Sequence, residues 1–323
     1  MISLSRSGHA EVMATAPPLP QGRTLYLPGR GMTFVRDAAG PPGAPVLFLL
    51  HGLGATADLN WWFAYQRLSQ HYRVLAIDHR GHGRGIRAGR RFRLADCADD
   101  VVAVADQLEI DEFIPVGYSM GGPIGQLVWH RHPDRVRGLV LCATSRDFRG
   151  APRDWAMFAV MPWLAIGAQM VPWSPILGVG ARVLARRATE EPYADWMIEE
   201  FRRSDIASIF EAAASLGRFT SREWITGVDI PVAVVATSLD TLVPVRRQVK
   251  LAMAVPTATI HVAEGDHFMA RNEQGGLVTA IEEACELVVR RTSRSPARRQ
   301  ASPARPQAPA GKNGGRGRSS PGR

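Results

Sequence analysis

The sequence predicts an α/β protein: a mostly parallel, eight-stranded sheet with helices on both faces and a helical cap inserted over its C-terminal edge. Three observations predict it. Apolar, β-branched runs alternate with amphipathic stretches along most of the chain, which is the pattern of parallel strands buried on both faces. Two shorter runs joined by "PGRG" read as an antiparallel hairpin that opens the sheet. The alternation then stops between about 145 and 227 and resumes afterwards.

The elements follow in order. Residues 1–22 are expected to be a flexible lead-in, with no apolar block long enough for a signal peptide. The hairpin occupies 24–28 and 32–37. Buried strands are expected at 45–50 ("PVLFLL"), 72–78, 113–117, 136–142, 231–236 and 258–263. Amphipathic stretches at about 58–69, 94–108, 120–132, 244–254 and 272–290 read as the intervening helices. The core therefore comprises 23–144 and 228–291, and the cap 145–227. No 20-residue stretch is both apolar and free of helix breakers, so no membrane span is expected.

The chain has 323 residues and a formal charge of +9, which by itself suggests a nucleic-acid partner. Its location argues otherwise. Nine Lys and Arg and no acidic residue lie from Arg291 onward, so the rest of the chain is balanced. Residues 292–323 have almost no aromatic or β-branched side chain to bury and are expected to be a disordered basic tail. A weak contact of this tail with nucleic acid or an anionic surface competes with no role at all; no specific nucleic-acid partner is expected. Cys97, Cys142 and Cys285 are scattered and odd in number. They fit neither a zinc spacing nor a disulfide framework, which points to the reducing cytoplasm.

The stretch "FIPVGYSMGGPIGQ" (113–126) carries the chemistry. Ser119 sits where a buried strand becomes a helix, with Gly117 and Gly121 two positions away on either side. Such a turn projects the serine above the sheet edge, and bulk at either flanking position would collide. The helix N-terminus behind it favours negative charge. Pro123 costs little in a first helical turn. A tight turn without chemistry is the bland reading; the strand-and-helix context favours a nucleophile elbow.

A serine needs a base and a group that orients the base. Asp240, in the loop after the strand "PVAVVA", and His267, after the last strand, come in the required order. Asp266 competes with Asp240, although a neighbour in sequence is poorly placed to pair with the His267 ring. "LFLLHGLGA" puts glycines just past a strand, where the backbone N–H groups of Leu53 and Met120 are expected to form an oxyanion hole. One such donor is worth roughly 3–4 kcal/mol in the transition state. His51 reads as a brace. "DHRGHGRG" (78–85) reads as a shaped loop, since the Lys-Ser/Thr signature of a phosphate loop is absent.

Together "HGLG", "DHRGHG", "GYSMGG", "SLDTLVP" and "GDHF" resemble the α/β-hydrolase fold family over about 25–290. The resemblance implies a serine hydrolase with Ser119, Asp240 and His267 as its triad, needing neither metal nor cofactor. "HGLGATADLNWW" and "YSMGG" are most similar to bacterial ester and lactone hydrolases and to carbon–carbon bond hydrolases of ring degradation. The serine argues against the dehalogenase and epoxide-hydrolase branches, which use aspartate there.

In the cap, 155–181 contains no charged residue, and five of the eight tryptophans fall in 145–227. Pro162, Pro172 and Pro175 are expected to break this run. It is either a cap core or an apolar tunnel lined by residues such as Met161 and Trp163. The expected substrate is a small apolar ester or lactone. Lactonase, carbon–carbon hydrolase, haloperoxidase-like and acyltransferase activities stay open, as does a ligand-binding receptor with a retained pocket.

Overall fold

The computed structural model describes residues 16–87, 91–150, 152–170, 193–271 and 276–294. Eight apolar runs form strands: β1 (Gly22–Leu27), β2 (Gly31–Ala38), β3 (Val46–Leu50), β4 (Arg73–Ile77), β5 (Ile114–Tyr118), β6 (Leu139–Cys142), β7 (Val232–Thr237) and β8 (Ala258–Ala263). They make one sheet in the spatial order β1-β2-β4-β3-β5-β6-β7-β8. The first two form the antiparallel hairpin, β2 also runs antiparallel to β4, and every later pairing is parallel.

Strand alternation splits the core into two layers. Leu47 and Leu49 face Trp61, Ile281 and Cys285, whereas Phe48 and Leu50 face Val101, Ile124 and Leu251. Both sets are fully buried, which explains why "VLFLL" is a continuous apolar run. Each such side chain stabilises the fold by about 1.5–3 kcal/mol. One layer carries α1 (Ala57–Trp61), α2 (Tyr65–Leu68) and the last helix, α9 (Leu277–Arg294); the other carries α3 (Leu94–Gln107), α4 (Gly121–Arg131) and α8 (Val245–Ala254).

Between β6 and β7 lie α5 (Pro152–Met170), α6 (Ala194–Arg202), α7 (Ile206–Arg218) and a short 3-10 turn, Ile225–Gly227. Helix α5 packs on α7, α6 reaches α1, and α7 reaches α3. The Gly83 N–H donates to Ser204 Oγ (3.0 Å), Asp205 N–H to the Gly81 carbonyl (2.8 Å) and Phe92 N–H to Glu211 (2.8 Å). These bonds tie the second half of the insertion to the loop after β4.

Several expectations are corrected. The helix expected over 58–69 is two pieces, because "WWF" presents three large side chains in a row and the turn at 62–64 lets both Trp61 and Phe63 reach the core. The strand expected at 136–142 shortens to β6. Residues 17–22 are not a loose lead-in: Arg36 donates to the Pro20 carbonyl (2.8 Å) and Pro17 is buried. Of the tail expected from 292, residues 292–294 continue α9; 295–323 lie outside the described residues, as do 272–275. Pro162 does not break its helix, since α5 runs through it and is held by packing on α7. Pro172, Pro175 and Trp173 lie outside the described residues. Among those described, no helix is long and apolar enough to cross a membrane.

Candidate active site

Ser119 occupies the turn between β5 and α4 with φ of 52°, a left-handed conformation that costs a non-glycine residue about 1–3 kcal/mol. Its backbone is fastened on both sides. The Ser119 N–H donates to the Cys142 carbonyl (2.9 Å), and its own carbonyl accepts from Thr144 Oγ1 (2.7 Å) and the Gly122 N–H (3.0 Å). The flanking glycines are steric requirements. A Cβ on Gly117 would lie 2.3 Å from the Gly121 carbonyl oxygen, and one on Gly121 would lie 2.1 Å from that of Leu50.

Residues far apart in sequence meet here. His267 Nε2 lies 2.9 Å from Ser119 Oγ, and Nδ1 lies 2.7 Å from Asp240 Oδ2. With the Nδ1 proton donated to the carboxylate, Nε2 is left to accept from the serine hydroxyl. Asp266 is placed elsewhere: its carboxylate accepts from the Phe268 N–H and braces the turn that carries His267. The Tyr118 hydroxyl, at the end of β5, donates to the His267 carbonyl (2.8 Å) and ties the same turn to the nucleophile's strand.

The Asp240 carboxylate is held from all sides. Oδ1 accepts from the N–H groups of Leu242 (2.9 Å) and Val243 (2.8 Å). Oδ2 accepts from Thr237 Oγ1 (2.9 Å) and Gln248 Nε2 (3.3 Å) besides His267. Gln248, fully buried, also donates to Thr237 Oγ1 and the Val243 carbonyl, and accepts from the Thr237 N–H. Thr237 and Gln248 were missed in the sequence. The available signal was one glutamine on the face of α8 that buries Leu251 and Ala252.

The loop after β3 lies against the serine, with Gly52 so close that a Cβ there would stand 3.3 Å from Ser119 Cβ. The Gly52 N–H is taken by Asn60 Oδ1 (2.9 Å). The N–H groups of Leu53 and Met120 have no acceptor among the described residues. His51 braces this loop: Nε2 accepts from the His79 N–H (2.9 Å), so Nδ1 carries the proton and donates to the Gly52 carbonyl (2.8 Å). Burial lowers the His51 pKa to about 4 and that of His82, aided by the neighbouring His51, to about 3. Asp78 accepts from the N–H groups of Ala57 (2.7 Å) and Arg84 (2.8 Å), which gives "DHRGHGRG" its part in shaping this loop.

Met161 and Trp163 were expected to line an apolar tunnel. Helix α5 buries Phe158, Ala165 and Ala168, with Met161 partly buried on the same inner stripe. Trp163 faces outward and is 74% exposed. Beside Asp240 and His267 in sequence, Leu239, Leu242 and Phe268 are exposed, whereas Tyr118 and Met120, on either side of Ser119, are buried. From the insertion, Phe201 of α6 comes within 3.8 Å of where a Cβ on Gly54 would lie.

With this sheet order and a strand–serine–helix turn at its centre, the chain has the α/β-hydrolase fold, and the sequence model of that fold family matches residues 45–203. Among curated relatives, it is similar to the putative carbamate hydrolase RutD of Agrobacterium fabrum, 29% identical over 67% of this chain and 83% of that one. It is also similar to a poly(3-hydroxyalkanoate) depolymerase of Ectopseudomonas oleovorans, 25% identical over 83% of this chain and 91% of that one. Among solved structures, a hydrolase from Pseudomonas aeruginosa superimposes with a TM-score of 0.70 at 21% identity, covering 82% of this chain and 98% of the other.

Proposed function

We propose that the chain is a serine hydrolase that cleaves a carboxylic ester, with an apolar acyl group, through an acyl-enzyme. The observation that carries this reading is the unbroken hydrogen-bonded series Ser119–His267–Asp240. In the proposed mechanism Ser119 Oγ attacks the carbonyl carbon while His267 Nε2 takes its proton. Asp240 keeps the proton of the ring on Nδ1 and stabilises the imidazolium. The N–H groups of Leu53 and Met120 receive the developing oxyanion. The imidazolium then protonates the leaving alcohol, and water repeats the sequence to release the acid.

The helices between β6 and β7 are assigned the role of a cap, 145–227, because Phe201 approaches the loop that carries Leu53 and Tyr193 meets Trp62 edge to face with ring centroids 5.3 Å apart. The names of the two curated relatives agree on hydrolysis and differ in substrate, so they support the reaction class more than the ester. The test is labelling with a fluorophosphonate together with burst release from a short p-nitrophenyl ester. Wild-type protein is expected to give one label per chain and a burst, and Ser119→Ala neither. Full labelling of Ser119→Ala overturns the assignment of the nucleophile. A carbamate turned over faster than the matched ester moves the substrate class to carbamates.

A further inference from the structure

A second site lies on the same edge of the sheet but outside the triad. The chain leaves the sheet through 145–150 and returns through 220–222, and these two segments are joined by a bridge between Asp147 and Thr220 and by the bond from the Ser221 N–H to the Arg146 carbonyl (2.8 Å). With the start of α8 they enclose a cleft of about 350 Å³. Its lining carries Arg146, Arg222, Arg246, Arg247 and Lys250, and one acid, Asp147.

The charges do not balance. Arg222 (2.8 Å) and Arg146 (3.9 Å) share Asp147, and Arg247 pairs with Asp154 and donates to the Phe148 carbonyl (3.1 Å). Five cations thus face two carboxylates, an excess of three positive charges. Arg246 and Lys250 are exposed and hold no ion pair among the described residues. Helix stability does not explain them, because cations in the first turns of a helix oppose its dipole, and α8 has no acid in its first turn. Like charges gathered around one cavity repel until an anion enters it.

We propose that this cleft binds the phosphoryl groups of a small phosphorylated molecule. Guanidinium forks match phosphoryl oxygens two at a time, and four of the five cations are arginines. The volume is that of a small-molecule site rather than of a single bare ion. Two sources share the chemistry: inorganic pyrophosphate and an organic bisphosphate such as a nucleoside 3′,5′-bisphosphate. None of the cleft residues belongs to the proposed triad, so binding can be measured with Ser119 replaced.

The experiment is calorimetric titration of the full-length chain, in its Ser119→Ala form, with pyrophosphate, adenosine 3′,5′-bisphosphate and citrate at physiological ionic strength. Saturable binding of one phosphorylated ligand per chain is expected, with citrate weaker. Tighter binding of the bisphosphate identifies the organic source, and equal binding the inorganic one. The double variant Arg246→Ala, Lys250→Ala should lose roughly tenfold or more, since each charged hydrogen bond is worth about that factor. Both side chains are exposed; if this variant fails to fold, Lys250→Glu alone replaces it and should lose affinity as well. The basic tail is the same in every variant, so undiminished affinity places binding there and overturns the proposal. Absence of saturable binding, or citrate binding as tightly as pyrophosphate, also overturns it.

Discussion

Around Ser119 the polar side-chain atoms of all three proposed catalytic residues have protein partners, whereas along α5 a row of large apolar side chains meets solvent. The triad groups sit on loops that follow parallel strands, and each loop is fixed by several bonds: Asp240 by five donors, the Ser119 turn by Cys142 and Thr144, the His267 turn by Tyr118. Trp155, Val160, Trp163 and Ile166 of α5 are each about half exposed or more. The sheet edge is organised before any substrate arrives, while α5 packs through one stripe of its surface. In the proposed function, chemistry that depends on tenths of an ångström is assigned to the fixed loops, and recognition of the substrate to the insertion attached to them.

If that contrast is right, substitutions at the sheet edge should be costly and those on the outer face of α5 nearly silent. Asp240→Asn keeps the shape but mis-sets the His267 tautomer, and kcat is expected to fall on the order of 10⁴-fold. Near-normal turnover in this variant, with a large loss in Asp266→Asn, would mean that the acid has been misassigned.

The second effect is one of stability and follows from the buried His51. Its folded pKa, about 4, is depressed from the ordinary 6.5, so the unfolded chain binds a proton that the native state refuses. Stability is then full above pH 6.5 and is lost as the pH falls towards 4, with about 3 kcal/mol from this one group. Urea midpoints measured across that range should fall more steeply for wild type than for His51→Asn. Equal slopes would show that the ring is not held neutral.

A smaller loss is expected at Gln248, which touches no substrate in the proposed mechanism. Gln248→Leu removes one donor to Asp240 and three contacts that hold Thr237 and Val243. A drop in kcat of roughly tenfold to a hundredfold, with KM little changed and partial recovery in Gln248→Glu at low pH, marks a positioning role. A change in melting temperature alone, with kcat intact, would reduce Gln248 to packing.

The smallest effect belongs to Trp163→Ala. Because the side chain is mostly in solvent, stability should change by no more than about 0.5 kcal/mol, and the acyl-chain-length optimum in an ester series should stay where it is. A shifted optimum would mean that α5 turns this face towards substrate when bound, and the contrast between the two regions would fail.

Much of this was legible in the chain itself, because it rests on short-range physics. A strand buried on both faces must be apolar throughout, as "VLFLL" is, and a hairpin turn needs its glycines, as "PGRG" has. The elbow is local too: the clash that excludes a Cβ at Gly117 involves Gly121, four residues away. Other features were decided only when distant segments came together. Asp240 rather than Asp266 meets His267 because β7 and β8 lie side by side and carry their loops to one edge, whereas the carboxylate of Asp266 is taken by its own turn. The role of Gln248 depends on α8 passing beneath Thr237, and the neutrality of His51 on complete burial beside His79 and His82. The two faces of α5 could not be told apart by composition, since its inner and outer side chains are equally apolar; packing on α7 alone selects which is buried. Local sterics and periodicity can be read from neighbours in sequence, but a partner 148 residues away, such as His267 for Ser119, is chosen by the order of strands in the sheet.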